Sequence, residues 1–304
     1  MINTGPLKKG DKIGVIAPAS PPDMEDLDKG IKFLKKMGFE IELAPNLKEV
    51  RGYLAGDDQK RVDDLHKMFA DKSIDAIWSA CGGYGTPRIL KKIDFDLIKE
   101  NPKAFIGYSD ITALHIAFNK FAKLPTYHAP MIATELGKGV NEKTLDSLEK
   151  ILFTDYKINL IKEFKIEELE IINHGRSKGK IVGGNLALLA ATIGTPFEVE
   201  TESNILFFED IGEEPYNIDR MLSQLENAGK LNDLGGVVIG DFTDCIAESY
   251  DPSLSVDEVI ADYFYDVDYP VFKGLPFGHG KTQLSLISGS LAEIDTRKSS
   301  IKIL

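Results

Sequence analysis

Apolar and polar positions in the first half of the chain follow two alternating patterns. Short apolar-rich runs read as strands: Lys12–Ala17 (K-I-G-V-I-A), Glu40–Leu43, Asp75–Ala80 (D-A-I-W-S-A) and Ala104–Ile106, with Pro125–His128 as a further candidate. Between them the apolar spacing turns helical. Met24–Met37 carries Leu27, Ile31 and Leu34 on one face and stops at Gly38, and Asp57–Phe69 points Val62, Leu65 and Phe69 inward. Pro87 opens a short helix to about Ile93, Ile111–Phe121 spaces Ile111, Leu114, Phe118 and Phe121 as a helix, and Glu142–Phe153 closes the series. Strands alternating with helices predict an α/β fold with a doubly wound, mainly parallel, flavodoxin-like sheet. Ligands of such sheets sit beyond the carboxyl ends of the strands, where Pro18–Pro22, Gly82–Gly85 and Ser109 fall.

Beyond residue 155 the pattern changes. Lys165–His174 is β-prone, and G-K-I-V-G-G-N leads into a helix over Leu186–Ile193 that Gly194 ends. Asn204–Phe208 (N-I-L-F-F) reads as a strand running into Glu209, Asn217–Ala228 as a helix stopped by Gly229, Gly236–Ile239 as a strand and Val256–Phe264 as a helix. Short strands around Leu284–Ile287, Ala292–Asp295 and Ser300–Leu304 close the chain. We therefore expect two domains, residues 1–155 and 156–304, the second a mixed α/β domain rich in strands.

The stretch A-F-I-G-Y-S-D, Ala104–Asp110, organises the first domain. Gly107 breaks the strand and a helix follows, so Ser109 sits on a sharp strand-to-helix turn. Such a turn lifts a hydroxyl clear of the sheet, next to N–H groups that favour negative charge. That is the logic of a nucleophile elbow. The competing reading is a helix N-cap, the usual task of Ser before a helix.

Composition narrows the chemistry. The net charge of −12 argues against a phosphate backbone as partner, so no nucleic acid is expected. Two cysteines, Cys81 and Cys245, are too few for a secreted disulfide scaffold. No segment approaches the ~20 apolar residues of a membrane span, and the first residues lack an apolar signal core, so a cytoplasmic location and no membrane association are expected. No metal-ligand spacing is present.

A serine nucleophile needs a base, and the base an orienting acid. Of the 5 histidines, His66 reads as solvated, His115 as pointing along its own helix and His174 as a turn residue. His279, in L-P-F-G-H-G-K, has glycines on both sides that let its ring reach a cleft, and His128 is second. Glu209 leads as the acid because it follows an apolar strand, with Asp210, Glu213 and Glu214 as rivals. Backbone N–H groups of Gly82–Gly83 and of Asp110 could form an oxyanion hole. A Gly-rich turn there could instead cradle a phosphate, but C-G-G-Y-G-T-P is neither a G-x-G-x-x-G fingerprint nor a Walker loop.

The segments G-G-Y-G-T-P-R, G-Y-S-D-I-T-A-L, G-G-N-L-A-L-L-A-A-T-I-G-T-P, F-E-D-I-G-E-E-P-Y-N-I-D-R-M-L and L-P-F-G-H-G occur in this order. Together they resemble the LD-carboxypeptidases, a family of muramoyltetrapeptide carboxypeptidases and microcin C immunity peptidases, and the likeness runs from V-I-A-P-A-S nearly to the C-terminus. The resemblance implies a Ser109–His279–Glu209 triad split across two domains, an oxyanion hole from Gly82, Gly83 and Asp110, and substrate contacts from Tyr84 and Arg88. It further implies hydrolysis, with no metal or other cofactor, of the bond between an L-configured dibasic residue and terminal D-Ala in a murein-derived peptide, by a homodimer. His128–Met131 reads H-A-P-M where many relatives read H-G-P-M, so Ala129 replaces a glycine near the expected cleft. Relatives also often place a proline after the histidine, before the closing strand, where this chain runs L-S-L-I-S-G. The microcin branch stacks a nucleobase on an aromatic-bearing insertion; here residues 131–180 are short and the only Trp, Trp78, lies inside a strand, which favours murein peptide over an aminoacyl-nucleotide toxin. The rival from another class is a non-catalytic small-molecule binding protein that uses the Gly82–Gly85 turn for an anion.

Overall fold

The structure is a computed structural model that describes residues 4–154 and 157–304. Apolar runs of the first half become short parallel strands: Lys12–Ile16 (β1), Glu40–Leu43 (β2), Ala76–Ser79 (β3), Ala104–Gly107 (β4) and Thr126–His128 (β5). In the second half the strands are Glu170–Asn173 (β6), Arg176–Asn185 (β7), Ile205–Ile211 (β8), Gly236–Thr243 (β9), Val271–Lys273 (β10), Leu286–Ser288 (β11), Leu291–Asp295 (β12) and Ser300–Ile303 (β13). They form a six-stranded sheet in the order β11-β5-β4-β3-β1-β2 and a seven-stranded sheet in the order β13-β12-β7-β8-β9-β10-β6. Cα proximity divides the chain into Met1–Asp155 with Ser285–Ile287, and Tyr156–Leu284 with Ser288–Leu304.

In the first unit, β3 and β4 are buried throughout, as their apolar sequences require. The helix Met24–Met37 forms where the spacing predicts it: the Asp23 carboxylate accepts from Asp26 N at 3.0 Å, and Gly38 closes it with a left-handed φ of 104°. Phe105 of β4 packs edge-to-face on Phe118 at 4.8 Å and stacks on Phe69 at 6.2 Å, which fixes the flanking helices to the sheet. The helix read over Ile111–Phe121 is in three pieces: a 3₁₀ turn Ser109–Ile111, an α-helix Thr112–Ala117 and a π-turn Phe118–Ala122. Side-chain spacing does not reveal such changes of pitch. A short helix, Phe95–Glu100, was not read from the pattern, although its cap is present: Asp94 accepts from Leu97 N at 3.0 Å.

The run Leu284–Ile287 does not close the second unit. β11 lies beside β5 at the edge of the first sheet, and Ser285 N donates to Ser147 Oγ at 2.9 Å on the helix Glu142–Phe153. Sheet partnership is non-local, so a three-residue strand carries no local mark of its sheet.

The second unit has a mixed sheet. β7, β8, β9 and β10 run parallel, while β12 pairs antiparallel with β7 and β13, and β6 antiparallel with β10. The polar start of β7, R-S-K-G-K, hid a strand; it extends because every residue from Arg176 to Lys180 faces a partner on β12. β8 runs past Phe208, so Glu209 lies inside the strand. There the register against β9 slips: Phe208 faces Ile239 but Asp210 faces Phe242, so Gly240 and Asp241 together oppose Glu209. This is a β-bulge, a device that re-aims side chains and recurs beside active sites.

Candidate active site

Ser109 occupies the turn after β4. Tyr108 is extended (φ −159°, ψ −168°), and Ser109, left-handed at φ 62°, opens the 3₁₀ turn. Tyr108, not Ser109, is the cap residue, and no side-chain capping bond is made there, so Ser109 does not serve as an N-cap. A left-handed non-glycine residue costs on the order of 1 kcal/mol or more and persists only where its surroundings hold it. Neighbouring groups are held tightly. The Gly107 carbonyl accepts from Ala129 N at 3.1 Å and lies 2.9 Å from His115 Nε2. Tyr108 Oη donates to Glu135 Oε1 at 2.7 Å, and Glu135 Oε2 accepts from Met131 N at 2.8 Å. The buried Asp110 carboxylate accepts from Thr86 N at 2.8 Å, and desolvation pushes its pKa up.

The Gly82–Gly83 turn after β3 lies against this serine. A Cβ on Gly82 would stand 3.1 Å from Ser109 Cβ and 3.3 Å from its Oγ. Gly83 has φ 102°, and a Cβ there would come within 2.3 Å of Ser20 Oγ, so the position admits only glycine. Ser20 ties the turn down: its N–H donates to Gly82 O at 3.1 Å, and its Oγ accepts from Tyr84 N at 3.1 Å. The backbone N–H groups of Gly82, Gly83 and Asp110 donate to no acceptor among the described residues, so they are available to an oxyanion. Arg61, buried on its helix, donates through Nη1 to Pro18 O at 2.6 Å and Gly85 O at 3.0 Å, joining the loops after β1 and β3. No local pattern marked this residue in the sequence. Arg88 pairs with Asp58, Nε to Oδ1 at 3.0 Å and Nη2 to Oδ2 at 3.2 Å. Tyr84 is exposed, edge-on to Tyr53 at 5.4 Å. Cys81 is nearby, but burial pushes its thiol up to about 12, which keeps it a poor nucleophile.

In the second unit Glu209 and His279 meet. Glu209 is fully buried at the bulge, and its Oε2 lies 2.6 Å from His279 Nδ1. A carboxylate accepts, so Nδ1 donates. Gly278 makes the approach possible: at φ 102°, a Cβ there would sit 2.4 Å from Glu209 Oε2. Two of the rival acids are committed elsewhere. Asp210 accepts from Asn185 Nδ2, Ala187 N and Ile211 N at 2.9, 2.9 and 2.8 Å, and burial raises its pKa to about 6. Glu214 accepts from Glu248 N, Ser249 N and Ser249 Oγ, while Glu213 lies in the loop beyond β8.

The remaining histidines are placed otherwise. His66 is half-buried rather than solvated, and its Nε2 accepts from Asp94 N at 2.9 Å. His115 is fully buried against β4, and desolvation lowers its pKa to about 4. His128 is fully buried, edge-on to Tyr108 at 5.7 Å, and His174 is exposed. Trp78 is buried in β3 and donates to Pro130 O at 2.8 Å. Thus Ser109, Gly82, Gly83 and Asp110 gather in the first unit, and Glu209 with His279 in the second.

Known proteins share this two-domain fold. Residues 13–129 match the LD-carboxypeptidase N-terminal domain and residues 178–294 match the LD-carboxypeptidase C-terminal domain. The chain belongs to the LD-carboxypeptidase family. It is 43% identical over 297 residues, 98% of this chain and 92% of the relative, to a probable murein peptide carboxypeptidase of Bacillus subtilis. Its fold matches the crystal structure of muramoyltetrapeptide carboxypeptidase from Oxalobacter formigenes with a TM-score of 0.85 at 27% identity, covering 96% and 97% of the two chains. An MccF-like protein from Bacillus anthracis matches with a TM-score of 0.84 at 29% identity, covering 98% of each chain. A chain so related is a carboxypeptidase of this family, with its two-domain α/β architecture. Among the described residues no helix is long and apolar enough to cross a membrane, and no group of three His, Cys, Asp or Glu could hold a metal.

Proposed function

We propose that this LD-carboxypeptidase hydrolyses the L,D-peptide bond of murein tetrapeptide and releases terminal D-Ala. Ser109 is the nucleophile, His279 its general base and Glu209 the acid that orients His279. The observation that carries the reading is the left-handed Ser109 at the strand-to-helix turn, a strained residue where an elbow requires one. The 2.6 Å Glu209–His279 bond supplies the second half of the machinery.

Ser109 Oγ attacks the scissile carbonyl carbon as His279 Nε2 takes its proton. The carbonyl oxygen, now an oxyanion, receives N–H groups from the Gly82–Gly83 turn and Asp110. Collapse breaks the C–N bond, and His279 returns the proton to the leaving amine of D-Ala. Water, deprotonated by His279, then hydrolyses the acyl-enzyme and restores Ser109. Glu209 holds the ring with Nδ1 protonated and stabilises its charge in both steps. The enzyme acts without metal in the cytoplasm, as a homodimer, on peptides from peptidoglycan turnover.

The MccF-like relative supports a second reading, cleavage of microcin C-like aminoacyl-nucleotide toxins by the same triad. Murein tetrapeptide and a peptidyl-nucleotide analogue, supplied side by side, separate the two by product. Liquid chromatography of released D-Ala is the direct assay. Ser109→Ala should stay folded and lose at least ~10³-fold in kcat. Near-wild-type turnover by the folded variant would overturn the serine mechanism. Ser109→Ala combined with His279→Ala should cost little more than either alone, because triad members act as a unit. If the losses multiply, His279 is not the base for Ser109.

A further inference from the structure

Asp241 is a carboxylate that the mechanism leaves unused. It lies in the β-bulge of β9, where Gly240 and Asp241 together oppose Glu209. Its N–H donates to Phe277 O at 3.1 Å, fastening the bulge to the segment that leads to His279. On the other side of His279 a Cβ on Gly280 would stand 2.0 Å from Asp241 Oδ2, so the carboxylate lies against the residue after the base. Glu209 and Asp241 thus flank the Gly278–His279–Gly280 segment.

The two acids are treated unequally. Glu209 has His279, and Asp210 next to it has three donors. The half-buried Asp241 carboxylate accepts no hydrogen bond and pairs with no cation among the described residues. Glu209 Oε1 is likewise buried with no hydrogen-bond partner among them. Burial and the Glu209 charge together push the Asp241 pKa up to about 6. Half-buried and without donors, the Asp241 carboxylate stays open to a group from outside the chain, and a cation brought by a ligand would pair with it.

We propose that Asp241 is a specificity residue, the counter-ion for the distal ammonium of a dibasic residue on the acyl side of the scissile bond. The inference rests on the proposed L,D-carboxypeptidase reaction, whose attacked carbonyl belongs to such a residue. A group one residue along from the base lies within reach of a long side chain whose own carbonyl is under attack. Asp241 takes no part in proton transfer; it selects and aligns the acyl residue.

The test uses the full chain and two tetrapeptides ending in D-Ala, identical except for lysine or norleucine at the third position. Wild type should prefer the lysine peptide by about 30-fold or more in kcat/KM, and Asp241→Asn should bring the preference within about 3-fold, with the loss in KM, as removal of a buried charge partner does. Asp241→Glu should retain part of the preference. An unchanged preference in Asp241→Asn, with any loss shared equally by both peptides, would overturn the proposal and leave Asp241 structural. If wild type releases D-Ala from neither peptide, the carboxypeptidase reading fails by itself. Calorimetric binding of the two peptides then decides Asp241: tighter binding of the lysine peptide that Asp241→Asn abolishes supports it, and equal binding overturns it.

Discussion

Replacing Glu209 by Gln tests the acid–base pair with minimal change of shape. The amide has two orientations in this buried site. If its oxygen faces Nδ1, the bond to His279 survives, but the NH₂ group takes the place of Oε1, which makes no hydrogen bond among the described residues. Leaving that donor unsatisfied costs about 1–3 kcal/mol. If the NH₂ faces Nδ1, one amide hydrogen is satisfied, but Nδ1 must accept and Nε2 must carry the proton. That tautomer cannot deprotonate Ser109. The second orientation satisfies more of the amide, so it should dominate, and kcat should fall by ~10³–10⁴, as for other triads whose acid is converted to its amide. A loss of only ~10–100-fold would match the first orientation, at about 1.4 kcal/mol per factor of ten. The assay is D-Ala release, together with ¹⁵N chemical shifts of the His279 ring to read its tautomer. Asp241 offers an independent check: its pKa of about 6 is raised partly by the Glu209 charge, so carboxyl ¹³C titration should show it lower in Glu209→Gln. A folded variant with turnover within about threefold of wild type and an unmoved Asp241 would refute the argument.

Ser109→Gly should be more stable than Ser109→Ala by about 1 kcal/mol in urea unfolding, because glycine accepts φ 62° without the strain that alanine keeps; equal midpoints would mean the turn is relaxed. Gly278→Ala should cost ~10²-fold or more in kcat, since its Cβ would displace the Glu209 carboxylate; an unchanged rate would show that the segment reshapes freely. His115 is lowered to about 4 in the folded chain, so the unfolded chain alone takes up its proton between about pH 6.5 and 4. Stability from this group is fully present above that window and lost on descending through it, by up to about 3 kcal/mol, and His115→Gln should flatten the wild-type difference in urea midpoint between pH 7.5 and 4.5. Prolonged chelation should leave D-Ala release unchanged; a rate lost to chelator and restored by zinc would demand another mechanism.

Local rules determined most of the fold. Period-3.6 apolar spacing with capping residues at both ends placed the helix Met24–Met37, and the alternation of strands with helices placed Ser109 at a carboxyl edge, because these patterns concern neighbours in the chain. Long-range pairing stayed hidden. β7 begins in a polar run that becomes a strand only when β12 supplies partners, and β11 joins the first sheet although it follows the second in sequence. Glu209 could be ranked first among four neighbouring acids from sequence; the geometry that brings it to His279 is a bulge between two strands and a glycine held at positive φ from a third segment. Asp241 carries no motif, and its exposure to an unshielded neighbouring charge arises only when β8 and β9 align with a slipped register. Sequence alone determined which residues could carry the chemistry, since residue type and local spacing set reactivity and secondary structure. Tertiary structure decided which were desolvated, strained or charge-coupled, since those properties depend on groups distant in the chain.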